Sequence, residues 1–216
     1  MELFNGRDLS GWRADGEHAW RVAASVQLQS EDDQQFSIEP GVGIFVNGDA
    51  GRTRDLRTEM EHGSCELHVE FCVPRGSNSG VYLMGQYEIQ ILDSWGTPES
   101  ELKYGSCGGI YARWIAETRT PYDGAPPRVN ASRPPCEWQE FHVLFHAPRF
   151  DAQGRKIAKA RFERVTHNGI VIHENFECSG PTRGAWSEVD IPVGPLRLQG
   201  DHGPVAYRNV WLRPLD

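Results

Sequence analysis

Residues 65–73 read CELHVEFCV, an order that suits a strand and little else. Cys65, Leu67, Val69 and Phe71 alternate with Glu66, His68 and Glu70. Successive side chains of a strand point to opposite faces, so this spacing predicts one apolar face and one polar face. The same period returns in WQEFHVLFH, where Phe141, Val143 and Phe145 alternate with His142, Leu144 and His146. Val22, Val26 and Leu28 come near to it in RVAASVQL. Asn168-Gly169, set between two apolar runs, predicts a tight hairpin. The last run, GPLRLQGDHGPVAYRNVWLRPL, predicts two strands around a Gly-Asp-His-Gly-Pro turn. Helical periodicity is weak throughout, and the 23 Gly and 14 Pro are spread along the chain, which favours many short strands. The expected fold is all-β: one domain over residues 1–216, built of two antiparallel sheets packed as a jelly-roll sandwich. Residues 96–130, rich in Gly, Pro and Ser, are expected as long loops over one face.

Several function classes are unfavourable. A net charge of -8 repels phosphate backbones, so no nucleic-acid partner is expected. No run reaches the roughly 18 apolar residues of a membrane span. The opening MELFNGRDLSGW has neither a basic segment nor an apolar one, so no signal peptide is expected. The expected location is cytoplasmic, or periplasmic if a signal has been removed. The sequence does not indicate an oligomeric state. Five Cys without a CxxC pair argue against structural zinc and for free buried thiols. GVGIFVNGDAGR lacks the Lys-Ser/Thr of a phosphate loop, and neither HExxH nor Gly-x-Ser-x-Gly occurs.

Chemistry concentrates in two places. In GVYLMGQYEIQILDSWG, residues 80–96, period 2 puts Tyr82, Met84, Gln86, Glu88 and Gln90 on one face. Val81, Leu83, Tyr87, Ile89 and Ile91 take the other. The apolar set is expected in the core and the polar set on the outer side of the sheet. Asp93 falls out of phase, and a β-bulge near Leu92 is expected to bring it beside Glu88. An aromatic ring among planar amides and carboxylates is what a sugar site needs, because hydroxyls both donate and accept. The second place is LQGDHGPVAYRN, where His202 stands at a loop tip between Gly200 and Gly203. Asp201 is beside it, and Arg208 and Asn209 follow. This pattern suits a catalytic or metal-binding histidine as well as an ordinary surface one.

These stretches carry a resemblance. LFNGRDLSGWR, NSGVYLMGQYEIQILDSWG and GPLRLQGDHGPVAYRNVWLRPL, with the intervening CEWQEFHVLFHAPRF segment, resemble in order the motifs of the 3-keto-disaccharide hydrolase domain family. The likeness runs over nearly the whole chain. It implies a concanavalin-like jelly roll acting on sugars oxidised at C3. The chain departs from the family at Met84, where Arg is frequent. A weaker resemblance lies in EIQILD, which overlies the Glu-x-Asp-x-x-Glu strand of laminarinase-type retaining glycosidases. Gln90 and Asp93 replace its second and third acids, and Gln cannot ionise, which argues against that mechanism.

The first resemblance implies a small carbohydrate substrate and cleavage by β-elimination. A base takes the C2 proton of a 3-keto-glycoside, the group on C1 leaves, and water adds to the enone. Glu88 and His202 are the candidate catalytic groups, either one serving as base. Asn78, Tyr82, Gln90, Asp93, Asp201 and Arg208 are candidate substrate-binding or orienting residues. Arg208, or a divalent metal ion held by Glu88 and His202, is expected at the enolate oxygen. The alternatives are a non-catalytic carbohydrate-binding module and a laminarinase-like retaining glycoside hydrolase.

Overall fold

The computed structural model describes residues 1–215. Its first strands are β1 (Trp12–Arg13), β2 (Arg21–Leu28), β3 (Phe36–Val46), β4 (Leu56–His62) and β5 (Cys65–Cys72). Then come β6 (Asn78–Leu83), β7 (Tyr87–Leu92), β8 (Arg113–Ile115), β9 (Thr120–Tyr122) and β10 (Gln139–His146). The last are β11 (Arg149–Phe150), β12 (Lys156–Ala158), β13 (Ala160–His167), β14 (Ile170–Cys178), β15 (Gly194–Leu198) and β16 (Ala206–Pro214). Among the described residues the one helical element is a 3₁₀ turn at Glu99–Glu101.

Five strands form a sheet in the order β1-β4-β15-β6-β7. Seven form another, β14-β13-β10-β5-β16-β3-β2. Pairing in both is antiparallel, and strands remote in sequence lie side by side, as β4 beside β15 and β5 beside β16. This is the expected jelly-roll sandwich of concanavalin type. The alternation read in β5 is realised fully: Cys65, Leu67, Val69 and Phe71 are all 0% exposed. They share one core with Phe141, Val143 and Phe145 of β10 and with Val81, Leu83 and Ile89 of the facing sheet. One polar link crosses between the sheets, from Ser79 Oγ to Tyr207 Oη at 2.8 Å.

The Asn168-Gly169 hairpin forms with φ of 51° and 79°, the pair of positive values that a two-residue turn of this hand requires. Residues 80–92, expected as one strand, are instead a hairpin of β6 and β7. Met84 and Gly85 make the bend with φ of 56° and 66°. Met84 is therefore not on the outer polar face; it is buried in the core. The face assignment of the paired strand residues survives, because Tyr82 and Glu88 are direct cross-strand partners and so share a face; Gln86 instead lies in the bend, its amide donating to the Val189 carbonyl at 2.7 Å. The two strands flanking the Gly-Asp-His-Gly-Pro turn exist, but β15 belongs to one sheet and β16 to the other.

Part of the segment 96–130 covers the outer edge of β7. Gln90 N–H donates to the Gly109 carbonyl (2.9 Å), Gly108 N–H to Gln90 (2.8 Å) and Tyr111 N–H to Glu88 (3.1 Å). An edge strand otherwise presents unpaired backbone groups. The rest of the segment contains the β8–β9 ribbon. All five cysteines are free thiols.

Phe45 is the aromatic hub of one end of the core. Its ring centroid lies 4.6 Å from Phe4, 5.5 Å from Trp12, 5.9 Å from Trp20 and 5.5 Å from Tyr207. Phe45→Ala is expected to lower unfolding free energy by about 3–5 kcal/mol, because these rings cannot collapse into the space together. Urea titration of both proteins measures it, and a loss below about 1 kcal/mol would contradict a shared aromatic core.

Candidate active site

The register of the five-stranded sheet lays side chains in transverse rows. Leu56, Leu198, Val81 and Ile89 are successive partners across β4, β15, β6 and β7 and point into the core. The row one residue along points the other way: Arg57, Arg197, Tyr82 and Glu88. Above its Tyr82–Glu88 end lies a cavity of about 270 Å³. Asn78, Tyr82, Glu88 and Gln90 come from the hairpin, Gln199 and His202 from the β15–β16 connection, and Tyr111 and Arg183 from loops.

Glu88 forms part of the cavity lining with 2% of its surface exposed. Its backbone is held at both ends, its N–H donating to Thr182 Oγ1 (3.1 Å) and its carbonyl accepting from Tyr111. Gly80 makes room for its carboxyl: a Cβ there would stand 2.2 Å from Glu88 Oε1. Gln90, with its amide turned to suit its neighbours, donates to that Oε1 and to the Ser79 carbonyl, each at 3.1 Å. Burial pushes the Glu88 carboxyl up to about 8. The Tyr82 hydroxyl and the Arg197 charge pull it down, and Asp55 adds to the rise. Glu88 is thus a carboxylic acid that stays largely protonated at neutral pH. Among the described residues lining this cavity it is the one carboxylate.

Arg197 backs the site. Its guanidinium lies 3.8 Å from the Tyr82 ring centroid, and its Nη2 donates to the Gly184 carbonyl at 2.7 Å. Asp55 Oδ2 is 3.4 Å from Nη1. His202 is half exposed at the rim, and its Nδ1 bonds Asp201 Oδ1. That contact fixes the ring and leaves Nε2 free. The turn is clamped from below by Asn47, which is fully buried. Its Nδ2 donates to the carbonyls of Gly200 (3.0 Å) and Gly203 (2.8 Å), and its Oδ1 accepts from Val205 N–H (2.8 Å). Gly203 is needed for close approach, since a Cβ there would meet Ser77 Oγ at 2.3 Å.

Of the residues expected from sequence, the fold brings Asn78, Tyr82, Glu88, Gln90 and His202 around one cavity, with Asp201 behind His202. Asp93 does not join them. β6 and β7 pair without a register shift, so no bulge turns it round. Its carboxylate instead accepts from the Gly76 and Trp95 amides (2.9 and 3.3 Å). Arg208 is also elsewhere, because the chain has crossed to the other sheet by the time it reaches β16. There its Nε donates to Glu70 Oε2 (2.6 Å) and its guanidinium lies 4.1 Å from the Trp138 ring. Arg183, Arg197, Tyr111 and Gln199 were missed. Arg197 alone had a local signal, as its spacing in GPLRLQG alternates with Leu196 and Leu198.

Among the described residues, no cluster of three close ligand-type side chains includes Glu88 or His202. The cluster that does occur is His68, Glu70 and Glu140 on the seven-stranded sheet. Its Glu70 oxygens are already engaged by Arg208 and Asn209.

Two outcomes follow from this packing. Gly80→Ala is expected to displace the Glu88 carboxyl, destabilising the chain by about 1–3 kcal/mol through overpacking; a melting temperature equal to wild type would count against the contact. A carboxyl protonated in the folded chain but ionised in the unfolded one stabilises fully below about pH 4.5, and that contribution is lost as pH climbs through about 8. Buried His62 and His173, held down at about 4, slope the other way, so the difference between wild type and Glu88→Gln isolates the glutamate. Wild type is expected to lose stability relative to the variant between those pH values. A pH-independent difference would refute the buried neutral acid.

A family model, that of the 3-keto-alpha-glucoside-1,2-lyase-like domain, matches residues 1–213. No curated protein gives a significant match. Among solved structures, a candidate glycosyl hydrolase from Parabacteroides distasonis is 26% identical with a TM-score of 0.66, over 100% of this chain and 83% of that one. A second candidate glycosyl hydrolase from the same organism is 20% identical with a TM-score of 0.60, over 100% and 98%. A third is 17% identical with a TM-score of 0.60, over 99% and 93%. With its sequence matched from the first residue almost to the last, the chain belongs to the 3-keto-alpha-glucoside-1,2-lyase-like domain family.

Proposed function

We propose that this protein cleaves the glycosidic bond of 3-keto-glycosides by proton abstraction at C2 and β-elimination. The observation that carries this reading is the cavity's inventory: among the described residues that line it, one buried, neutral carboxylic acid and one histidine. Hydrolysis through a retaining or inverting pair of carboxylates needs two acids across the bond, and among the described residues lining this cavity Glu88 is the one carboxylate. Elimination needs one base, one acid and a positive group near the enolate oxygen.

His202 is the base. Asp201 occupies Nδ1, so Nε2 accepts the C2 proton. The electrons of the C2–H bond pass to the C3 carbonyl, whose oxygen becomes an enolate stabilised by Arg183, the cation on the cavity wall. The enolate then re-forms the ketone while C1 and C2 become doubly bonded and the C1–O bond breaks. Glu88 gives its proton to the departing oxygen. Water adding at C1, with a proton returned to C2, completes a net hydrolysis; release of the enone leaves a lyase. Tyr82, Asn78, Gln90 and Gln199 hold the ring's hydroxyls and its face. The "glycosyl hydrolase" description of the related solved structures agrees with action on glycosides.

Incubation with a 3-keto-glucoside in D₂O is expected to release the aglycone and place deuterium at C2 of the sugar product. Glu88→Gln and His202→Ala are each expected to lower kcat by about a hundredfold or more. The wild-type rate is expected to fall above about pH 8, where Glu88 ionises. Aglycone release together with a saturated 3-keto sugar that carries protium at C2 would refute elimination, whereas an enone product bears no hydrogen at C2 and agrees with it. Sugar binding without turnover would instead support a carbohydrate-binding module.

A further inference from the structure

The seven-stranded sheet carries a second, smaller apolar cluster, separate from the core between the sheets. It includes Val26, Phe36, Val46, Cys72 and Ala206, with Cys136 and Trp138 packed against it. Cys72 stands in phase with Glu66, His68 and Glu70 along β5, opposite in face to Leu67 and Phe71. It is nonetheless buried, because the segment before β10 covers it. That segment is tied down next to Cys72. Cys136 N–H donates to the Val73 carbonyl at 2.7 Å, and the Cys136 thiol lies 3.8 Å from the Val26 carbonyl. The Arg208 guanidinium lies 4.1 Å from the Trp138 ring.

Cys136 holds a position that its backbone disfavours. Glu137 N–H donates to the Pro134 carbonyl at 3.0 Å, closing a turn with Pro135 and Cys136 at its centre. Cys136 has a φ of 66°. Proline at the second residue and a positive φ at the third fit a type II turn, where glycine or asparagine is the ordinary choice at the third. The side chain carried there sets one thiol against another. Cys72 S–H donates to Cys136 Sγ and holds the Cys136 thiol below its ordinary value, while burial works against this. Cys72 is raised, first by that same bond and then by burial. Burial pushes Cys65 and Cys107 up to about 12, and it raises Cys178 as well. Of the five cysteines, Cys136 is the one that is both partly exposed and shifted toward thiolate.

We infer that Cys72 and Cys136 form a thiol–disulfide exchange site that reacts with low-molecular-weight disulfides, Cys136 attacking and Cys72 resolving. The Cys136 thiolate attacks one sulfur of the small disulfide. That S–S bond breaks, one half leaves as a thiolate, and the other half stays on Cys136 as a mixed disulfide. Cys136 then carries no charge, so the bond that raised Cys72 is gone. Cys72 gives its proton to solvent, attacks Cys136 Sγ and expels the second half. The two departing thiolates take up the two protons that the cysteines gave up. In net terms two protein thiols become one disulfide, and one small disulfide becomes two thiols. The bridge closes a loop of about 65 residues, which removes freedom from the unfolded chain. That loop contains the whole β6–β7 hairpin and Tyr111, the main walls of the candidate active site.

The test treats the reduced full chain with excess oxidised glutathione. It is read by intact mass, by thiol titration after acid quenching and denaturation, and by peptide mapping. Wild type is expected to lose two hydrogens, to fall from five titratable thiols to three, and to yield a Cys72–Cys136 cross-linked peptide. Its melting temperature is expected to rise by about 5 °C or more, and dithiothreitol to reverse the rise. Cys72→Ala is expected to stop with glutathione bound to Cys136, and Cys136→Ala to keep all its remaining thiols. Five thiols left in wild type, or a bridge between other cysteines, would overturn the site. Glutathione retained on wild-type Cys136 would overturn the resolving role of Cys72. A bridge that left the melting temperature unchanged would overturn its fit to the native fold.

Discussion

Everything at the candidate site depends on the cross-strand register of the five-stranded sheet. Partners directly opposite one another share a face, so one register sorts whole rows. Leu56, Leu198, Val81 and Ile89 go to the core, and Arg57, Arg197, Tyr82 and Glu88 to the cleft. A slip of one residue in β4 or β15 would turn an arginine into the core and a leucine out to the cleft. The hydrophobic effect that closes the sandwich is therefore the same constraint that lines up the polar row.

Burial gives that row its chemistry. A carboxyl on an exposed strand would ionise near its ordinary value and do little at neutral pH. Glu88 is instead covered by the hairpin, by the loop anchored at Thr182 and by the edge segment ending at Tyr111. Removing water disfavours its charged form, and the nearby Arg197 and Tyr82 offset this only in part. The same low-dielectric surroundings keep Asp55 raised, although a guanidinium is close by. His202 differs because it sits on a turn outside the sheet, held by Asn47 but open to solvent. The proposed reaction asks for two such groups in distinct environments, one covered and one exposed.

Much of this could be read along the chain. The alternation in β5 and β10, the Asn168-Gly169 turn and the polar set of Tyr82, Glu88 and Gln90 are local patterns, and local sterics enforce them. What a local pattern does not hold is connection. Asp93 was expected beside Glu88 through a bulge, but β7 ends at Leu92 and its carboxylate caps a loop. Arg208 is six residues from His202 in sequence, yet the intervening turn carries the chain from one sheet to the other. Met84 alternates as an outward strand residue would, and nothing in LMGQ besides Gly85 marks the bend that buries it.

By itself the sequence determined which side chains alternate, where tight turns fall and which stretches hold polar groups out of keeping with a core. Those properties depend on neighbours one to four residues away. Only the tertiary structure decided that Arg197 stands behind Tyr82, that Arg183 and Tyr111 wall the cavity, and that the cleft runs on to Trp186. Strand order brings Arg57, Tyr82, Glu88 and Arg197 together across long stretches of chain, and the loop before β15 adds Trp186. No period in the sequence encodes which strand will pair with which. The burial that makes Glu88 an acid is likewise a property of what covers it and not of the residues beside it.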